Sequence, residues 1–324
     1  MDNSDGFPMP LVEKAKCINC GRCKKYCYQY MNRPTEKKGM YFAGWSNNPE
    51  KLRRSTSGGA ASEIAEMLML EQNYSPVVVR FNAERLVAEY YVPNSISDLE
   101  QARGTKYIPA HTFPAFELLK NIEKDQRIML VGTPCVIAAV DNYLVLEGKR
   151  DQAVLVDFFC AGVASETLFA TFIENELAKK GKNRNQLGDV KFRDKQAGGW
   201  HSSCYKICYR DPLEEYEPDD NCFGQLSASR LCKRRSCYPC TLWKNISCAD
   251  IRVGDCWSKR YKNNNAGVST IIAFSEEGAK VIEELRMERM HIEDISEEEA
   301  FENQTKKPRY APFVNGLEIG RAHV

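Results

Sequence analysis

Residues 127–181 read RIMLVGTPCVIAAVDNYLVLEGKRDQAVLVDFFCAGVASETLFATFIENELAKKG. Arg127-IMLV carries a short apolar run that stops at Gly132-Thr-Pro-Cys135. VIAAVDNYLVLEG follows as a helix. Ala153-VLVDFFC160 is a second apolar run, then Ala161-Gly162, then a helix from Ser165 to about Gly181. Ser165 is a good N-cap and Gly181 a good stop. A wholly apolar strand is buried on both faces, and strand–loop–helix written twice is a parallel α/β unit.

Upstream, Ser55-Thr-Ser-Gly-Gly59 opens AASEIAEMLMLEQ, in which Ile64, Met67 and Leu68 keep helical spacing. Pro76-VVVRF reads as a strand, and residues 77–92 read as a hairpin. Ser97-DLEQA and Phe113-PAFELLKNIEK read as helices. Residues 36–54, with Gly44, Asn47, Asn48 and Pro49, read as a linker or surface loop. Downstream of 188, VKFRDK, CYKICYR, DIRVGD and STIIAF read as strands, and a helix runs from Glu276 to about Met290.

The chain has 324 residues, enough for one large domain or two smaller ones. Lys and Arg number 45 against 44 Asp and Glu, which excludes a global basic field for nucleic acid. The start, MDNSDGFPMP, lacks an apolar core, so no secretory signal is expected. The most apolar stretch, Ile128–Val140, is broken at Gly132-Thr-Pro134 and falls short of the ~20 residues of a membrane span. Fourteen cysteines in such a chain are expected to be ligands or redox groups in a reducing, cytoplasmic setting. The last seven residues, Glu318-Ile-Gly-Arg-Ala-His-Val324, are what a common sequencing-library adapter encodes in frame. Residues 318–324 are expected to be non-native, and His323 is excluded from the site.

Cys17-Ile-Asn-Cys20-Gly-Arg-Cys23-Lys-Lys-Tyr-Cys27 has the spacing C-x2-C-x2-C-x3-C. A cubane cluster offers four iron corners, and three thiolates on one tight loop reach three of them. Gly21 lets backbone approach the inorganic sulfides. Cys27 completes this cluster or serves a second one, and the usual Pro after it is Tyr28. Structural zinc instead uses two separated C-x2-C pairs.

Cys135 and Cys160 sit at the ends of the two apolar strands, on the edge where parallel sheets bind ligands. Cys237-Tyr-Pro-Cys240 is a C-x2-C pair in a loop. These four form a candidate second cluster or zinc site. The other reading makes Cys135 and Cys160 small core residues. Arg230, Lys233, Arg234 and Arg235 would balance an anionic cluster, or form a solvated face. Cys204 and Cys208 share a strand face and read as core, Cys232 is the best spare ligand, and Cys222, Cys248 and Cys256 have no assigned role.

Clusters move single electrons, and a flavin is a suitable partner because it exchanges one or two. Three places are candidates for it. Ser55, Thr56, Ser57, Gly58 and Gly59 precede a helix and offer hydroxyls and amides to a pyrophosphate. Gly132 and Thr133 follow a strand and offer the same. Arg193 and Lys195, with Gly198-Gly-Trp200 behind them, pair cations with an aromatic ring, and Asp255 with Trp257 could line a ring pocket. Each is also readable as ordinary cap, turn or core chemistry. His111 and His201 lie near motifs and read as surface residues.

The segments RRSTSGGA (53–60), GTKYI (104–108), VGTPCVIA (131–138), VDFFCAGV (156–163), VKFRDKQAGGW (190–200), RRSCYPC (234–240) and DIRVGDCW (250–257), in this order, resemble the coenzyme F420 hydrogenase/dehydrogenase beta-subunit family over roughly residues 10–285. The resemblance implies a flavoprotein using FAD, a second [4Fe–4S] cluster on Cys135, Cys160, Cys237 and Cys240, and a flavin near the SGG loop and the FRDK segment. It also implies electron flow between ferredoxin-like donors and an acceptor, which is the deazaflavin F420 in archaeal members. The family's usual Cys-His-Gly is Cys160-Ala-Gly162 here, and its Gln after Gly-Thr-Pro-Cys is Val136, so the acceptor is not carried over.

The expected fold is mixed α/β: a ferredoxin-like [4Fe–4S] segment, 1–35, on a mixed-sheet flavin-binding core, 36–310. The expected function is that of an iron–sulfur, FAD-dependent oxidoreductase fed by a ferredoxin or another redox protein. The alternatives are an electron-transfer subunit serving a catalytic partner, and a zinc-stabilised interaction protein.

Overall fold

The computed structural model describes residues 6–30, 34–195, 198–201, 204–211, 214–218, 221–229 and 231–304. The expected tail, 318–324, and Arg230 lie outside the described residues. The strands are β1 Met40–Ser46, β2 Tyr74–Asn82, β3 Val87–Tyr91, β4 Ala110–His111, β5 Arg127–Gly132, β6 Ala153–Phe158, β7 Leu187–Asp194, β8 Cys204–Tyr209, β9 Glu214–Pro218, β10 Ile251–Asp255, β11 Ser269–Ala273 and β12 Met290–Asp294. Nine of them make one mixed sheet in the order β12-β1-β11-β10-β6-β5-β2-β3-β4; β7-β8-β9 make a second, antiparallel sheet.

The two apolar runs are the neighbours β5 and β6, paired in parallel from Ile128↔Ala153 to Gly132↔Asp157. Their residues alternate between two cores. Met129, Val154 and Val156 pack with Ile64, Leu68, Val281 and Leu285 from helices Ala60–Glu71 and Glu276–Glu288. Ile128, Leu130 and Leu155 pack with Leu119, Ile137, Val140 and Leu144 from helices Phe113–Lys120 and Pro134–Leu146. β-Branched residues such as Ile137 and Val140 cost a helix a few tenths of a kcal/mol. Their complete burial contributes about 1.5–3 kcal/mol each, so packing decides the helix. The last helix of the 127–181 stretch is Glu166–Lys179. Ser165 caps it by accepting from the Leu168 amide at 3.3 Å, and Gly181 follows its end with φ 64°. This helix and the three-stranded sheet share a third core through Phe169, Phe172, Phe192 and Tyr205.

Residues 36–54 correct the sequence reading. They are not a linker: β1 is an interior strand, antiparallel to β11 on one side and β12 on the other. Both partners come from more than 200 residues downstream, so no local pattern announced the pairing. The polar signals belong to the short helix after the strand. Asn48 caps helix Pro49–Arg54 by accepting from the Glu50 and Lys51 amides at 3.0 and 3.1 Å, and Pro49 occupies its first turn. Gly44 is required by closeness, since a Cβ there would stand 2.8 Å from the His291 carbonyl oxygen. The last long helix stops at Glu288, and Met290 opens the edge strand β12. Strand β9 and helix Cys222–Ser229 were not legible in the sequence.

Among the described residues no helix is long and apolar enough to cross a membrane.

Candidate functional site

Strands β2, β5, β6 and β10 are parallel. β1 runs the same way, because it is antiparallel to β11 and β11 is antiparallel to β10. Their C-terminal ends therefore share one edge, and four candidate segments leave the sheet there: Ser46 toward the SGG loop, Gly132 toward Cys135, Phe158 toward Cys160, and Asp255 toward Trp257.

Cys135 is in the first turn of helix Pro134–Leu146, with its Sγ 3.2 Å from the Thr133 hydroxyl. Gly132 lies against Tyr90, whose hydroxyl would be 2.6 Å from an added Cβ. Gly132 and Thr133 thus belong with Cys135. Cys160 follows β6 by two residues, and the Gly162 amide donates to its sulfur at 3.4 Å. Gly162 has φ 89°, and a Cβ there would sit 3.1 Å from Cys237 Cβ. The segment carrying Cys237 is held against this turn by an Ala164–Lys233 bridge, by Arg234 N donating to Val163 O at 3.3 Å, and by Lys233 Nζ donating to Ala161 O at 2.6 Å.

Burial pushes the Cys160 thiol up to about 12, and the charges of Cys135, Cys237 and Cys240 push it the same way. Burial raises Cys237 and Cys240 as well, and both feel Cys135. Four thiols from three separate segments thus lie within electrostatic reach of one another. A bound cation reverses this balance by favouring thiolates. Among the described residues no three His, Cys, Asp or Glu side chains are arranged to hold a single metal ion.

Cys17, Cys20 and Cys23 are exposed and Cys27 is half-buried. Their loop turns at Gly21, φ 70°, into the short helix Arg22–Tyr26. The buried Asn142 donates to Lys25 O and Tyr26 O at 3.3 and 2.8 Å, and the Tyr26 ring lies 5.6 Å from that of Tyr143. The loop is thereby fastened to the helix whose first turn carries Cys135. Tyr28 lies between the two sets: burial raises its phenol above the ordinary value, and the charges of Cys135, Cys240 and Cys27 add to this. The sequence marked Tyr28 only as a departure from Pro.

The Ser55–Gly59 loop packs under the end of β1, with Ser46 N donating to Gly58 O at 2.8 Å. Its hydroxyls are engaged within the protein. Ser55 donates to Lys51 O at 2.7 Å and accepts from Arg103, and Ser57 donates to Val268 O at 2.7 Å. Thr56 accepts from the Thr105 amide at 3.1 Å, which joins this loop to the GTKYI segment. At the start of helix Ala60–Glu71, Gly59 O accepts from the Ser62 and Glu63 amides, at 3.1 Å each. A Cβ at Gly58 would stand 2.2 Å from Gly44 O and 2.5 Å from Ser269 N. Gly58→Ala is expected to cost about 1–3 kcal/mol, measured as a lower urea midpoint; an unchanged midpoint would show that the loop is not clamped at this point.

Lys195 and Arg193 are engaged by the protein. The Lys195 ammonium donates to Leu52 O at 2.6 Å, to Ser57 O at 2.8 Å and to Ala266 O, while burial lowers its pKa to about 8. Lys195 braces the SGG loop. Arg193 donates to Asp255 at 2.6 Å and to Trp200 O at 2.9 Å, and lies 5.4 Å from the centre of the Trp257 ring. Its Nε is buried with no acceptor among the described residues. The Trp200 indole donates to Asp255 at 2.7 Å, and the Trp200 and Trp257 rings stack 5.0 Å apart.

A model of the C-terminal part of the coenzyme F420 hydrogenase/dehydrogenase beta subunit matches residues 125–298, and a model of its N-terminal part matches residues 41–117. The chain belongs to this family. It is thereby a redox-subunit type of protein, as the resemblance led us to expect. Cys135, Cys160, Cys237, Cys240 and the SGG loop lie within the matched residues of the F420 hydrogenase/dehydrogenase models, and Cys17–Cys27 lie before them. A solved structure of the F420-reducing [NiFe] hydrogenase complex from Methanosarcina barkeri is similar in fold. The TM-score is 0.57 at 18% identity, over 81% of this chain and 84% of that one. No curated protein matches.

The remaining sequence candidates separate. Cys232 lies near Cys222, whose charge adds to the burial that raises it. Cys248 is pushed up to about 12 by burial and by Asp141, and Cys256 is buried beside Trp200. Cys204 and Cys208 are half-buried on β8. His111 pairs with Glu166 at 2.8 Å, and His201 packs near Trp200. Arg252, paired in register with Asp157 across β10 and β6, was passed over in the sequence. The signal was available, as an arginine between Ile251 and Val253.

Proposed function

We propose that this family member is an iron–sulfur flavoprotein that passes electrons between a redox-protein donor of ferredoxin type and a small-molecule acceptor, F420 or another. Cys17, Cys20, Cys23 and Cys27 would hold one [4Fe–4S] cluster, and Cys135, Cys160, Cys237 and Cys240 a second. FAD would lie over the edge beside the SGG loop. The observation that carries this is the convergence of two strand-end cysteines with a C-x2-C pair, joined through Tyr28 to the first set. When bound, cubane clusters exchange single electrons and a flavin exchanges one or two.

The residues present fit these groups. Four thiols from three segments meet where any one set of neighbours could not supply four ligands. For the flavin, the fit rests on the orphaned Arg193 Nε and the stacked Trp200 and Trp257. Arg193 and Lys195 would then shape the flavin pocket, with Asp255 holding Arg193 in place. We place the protein in the cytoplasm, where thiols stay reduced.

The test is iron, acid-labile sulfide, zinc and flavin per chain after anaerobic purification, with visible spectra before and after dithionite. The expected result is about eight iron, from two cubanes, with FAD. Zinc without flavin would replace this reading with that of an interaction module.

A further inference from the structure

We infer that residues 9–30, with the cleft beside Cys23 and Cys27, form the docking face for an acidic redox protein. This rests on the proposed function, in which the first cysteine set holds a cluster, and it names the partner's chemistry and where that partner sits. Three observations carry it.

The first is charge. The chain is nearly neutral overall, yet residues 13–30 hold Lys14, Lys16, Arg22, Lys24 and Lys25 against Glu13 alone. All five cations are exposed. They carry more positive charge than the anionic core of a thiolate-bound cubane neutralises. The complement of such a face is acidic.

The second is exposed apolar surface in the same segment. Ile18 is 85% exposed, Leu11 69%, Val12 63% and Tyr30 69%. Ile18 stands between Cys17 and Cys20. Apolar side chains ringed by charge, on one contiguous segment, mark an interaction site.

The third is the cleft, about 540 Å³, bordered by Arg22, Cys23, Tyr26, Cys27, Phe116 and Lys120, with Glu147 its one carboxylate against two cations. It lies between the cysteine loop and helices Phe113–Lys120 and Pro134–Leu146. A cleft with aromatic walls takes a projecting side chain of a protein partner, which a flat lipid surface does not supply. Two of its walls are cluster cysteines, so a partner seated there is brought against the first set. The exchange itself is one electron, leaving the reduced partner for the group on the first set, with no bond made or broken.

The test is isothermal titration calorimetry of the anaerobically purified full chain with oxidised plant-type [2Fe–2S] ferredoxin, an acidic redox protein. Binding is expected at low salt and should weaken as NaCl is raised. Lys24→Glu with Lys25→Glu should raise Kd about tenfold, and Ile18→Ser should raise it as well. Lys280→Glu, on the helix covering the opposite face of the sheet, should leave Kd unchanged. Iron per chain is measured on the same samples. Loss of the first cluster would fail the cluster reading, while Kd still reports on the face. A Kd indifferent to the double reversal and to salt would overturn the proposal. So would absence of ferredoxin binding together with sedimentation on phosphatidylglycerol vesicles, which would assign the face to a membrane surface.

Discussion

Arg252→Ala is expected to lower the free energy of unfolding by about 3–5 kcal/mol, measured by urea denaturation under anaerobic conditions. Arg252 and Asp157 are 1% and 0% exposed. The guanidinium meets the carboxylate in two parallel bonds of 2.6 Å, and Ser247 donates to the same carboxylate at 2.7 Å. The other side of the guanidinium holds Lys244 O and, at 3.3 Å, Ile246 O. Truncation leaves Asp157 charged and buried without its counter-ion, and frees two carbonyls. Replacing both partners by apolar residues, Asp157→Leu with Arg252→Met, should cost much less, because no uncompensated charge remains. The pair also has a place in the site. Asp157 lies three residues before Cys160, and the carbonyls lie four and six residues after Cys240. Arg252 therefore sets the position of one cysteine segment against the other. Arg252→Ala should lose iron from the second set, with Arg252→Lys retaining more of it. A loss of stability below about 1 kcal/mol, in the range of a surface pair, would refute the account.

Cys237→Ala should remove about half of the iron and leave the other half, since a cubane lacking a ligand is lost as a unit while a separate one remains. Cys17→Ala should remove the complementary half. Cys237 lies against Gly162, beside Cys160, whereas Cys17 is on an exposed loop reached through Asn142 and Tyr26. Neither variant should unfold the chain: Cys17 is exposed, and Cys237 is half-buried on a short turn rather than in a core. If Cys237→Ala kept all the iron, the second set would not be a cluster site. If either variant lost everything, the two sets would not be independent.

Part of this was legible from the sequence alone. The parallel unit over 127–181 was written in two largely apolar runs and a capped helix, because burial on both faces and local capping act within a dozen residues. The cysteine spacing at 17–27 pointed to a cluster for the same reason, since three thiols on one turn need no partner from elsewhere. The tertiary structure decided the rest. β1 had to meet β11 and β12, and its Gly44 and Asn48, read as loop signals, proved to be a close contact and a helix cap. Arg193 and Lys195 were legible as cations near a flavin candidate. Their engagement by Asp255 and by the carbonyls of Leu52, Ser57 and Ala266 depends on chain segments more than 50 residues apart. Whether a thiol is a ligand or a core residue is likewise a matter of which other thiols approach it. That Cys135, Cys160, Cys237 and Cys240 come within electrostatic reach of one another follows from the parallel ordering of β5 and β6 and the bridge at Ala164. Spacing encodes what one turn of chain can do, and strand order brings distant turns to one edge.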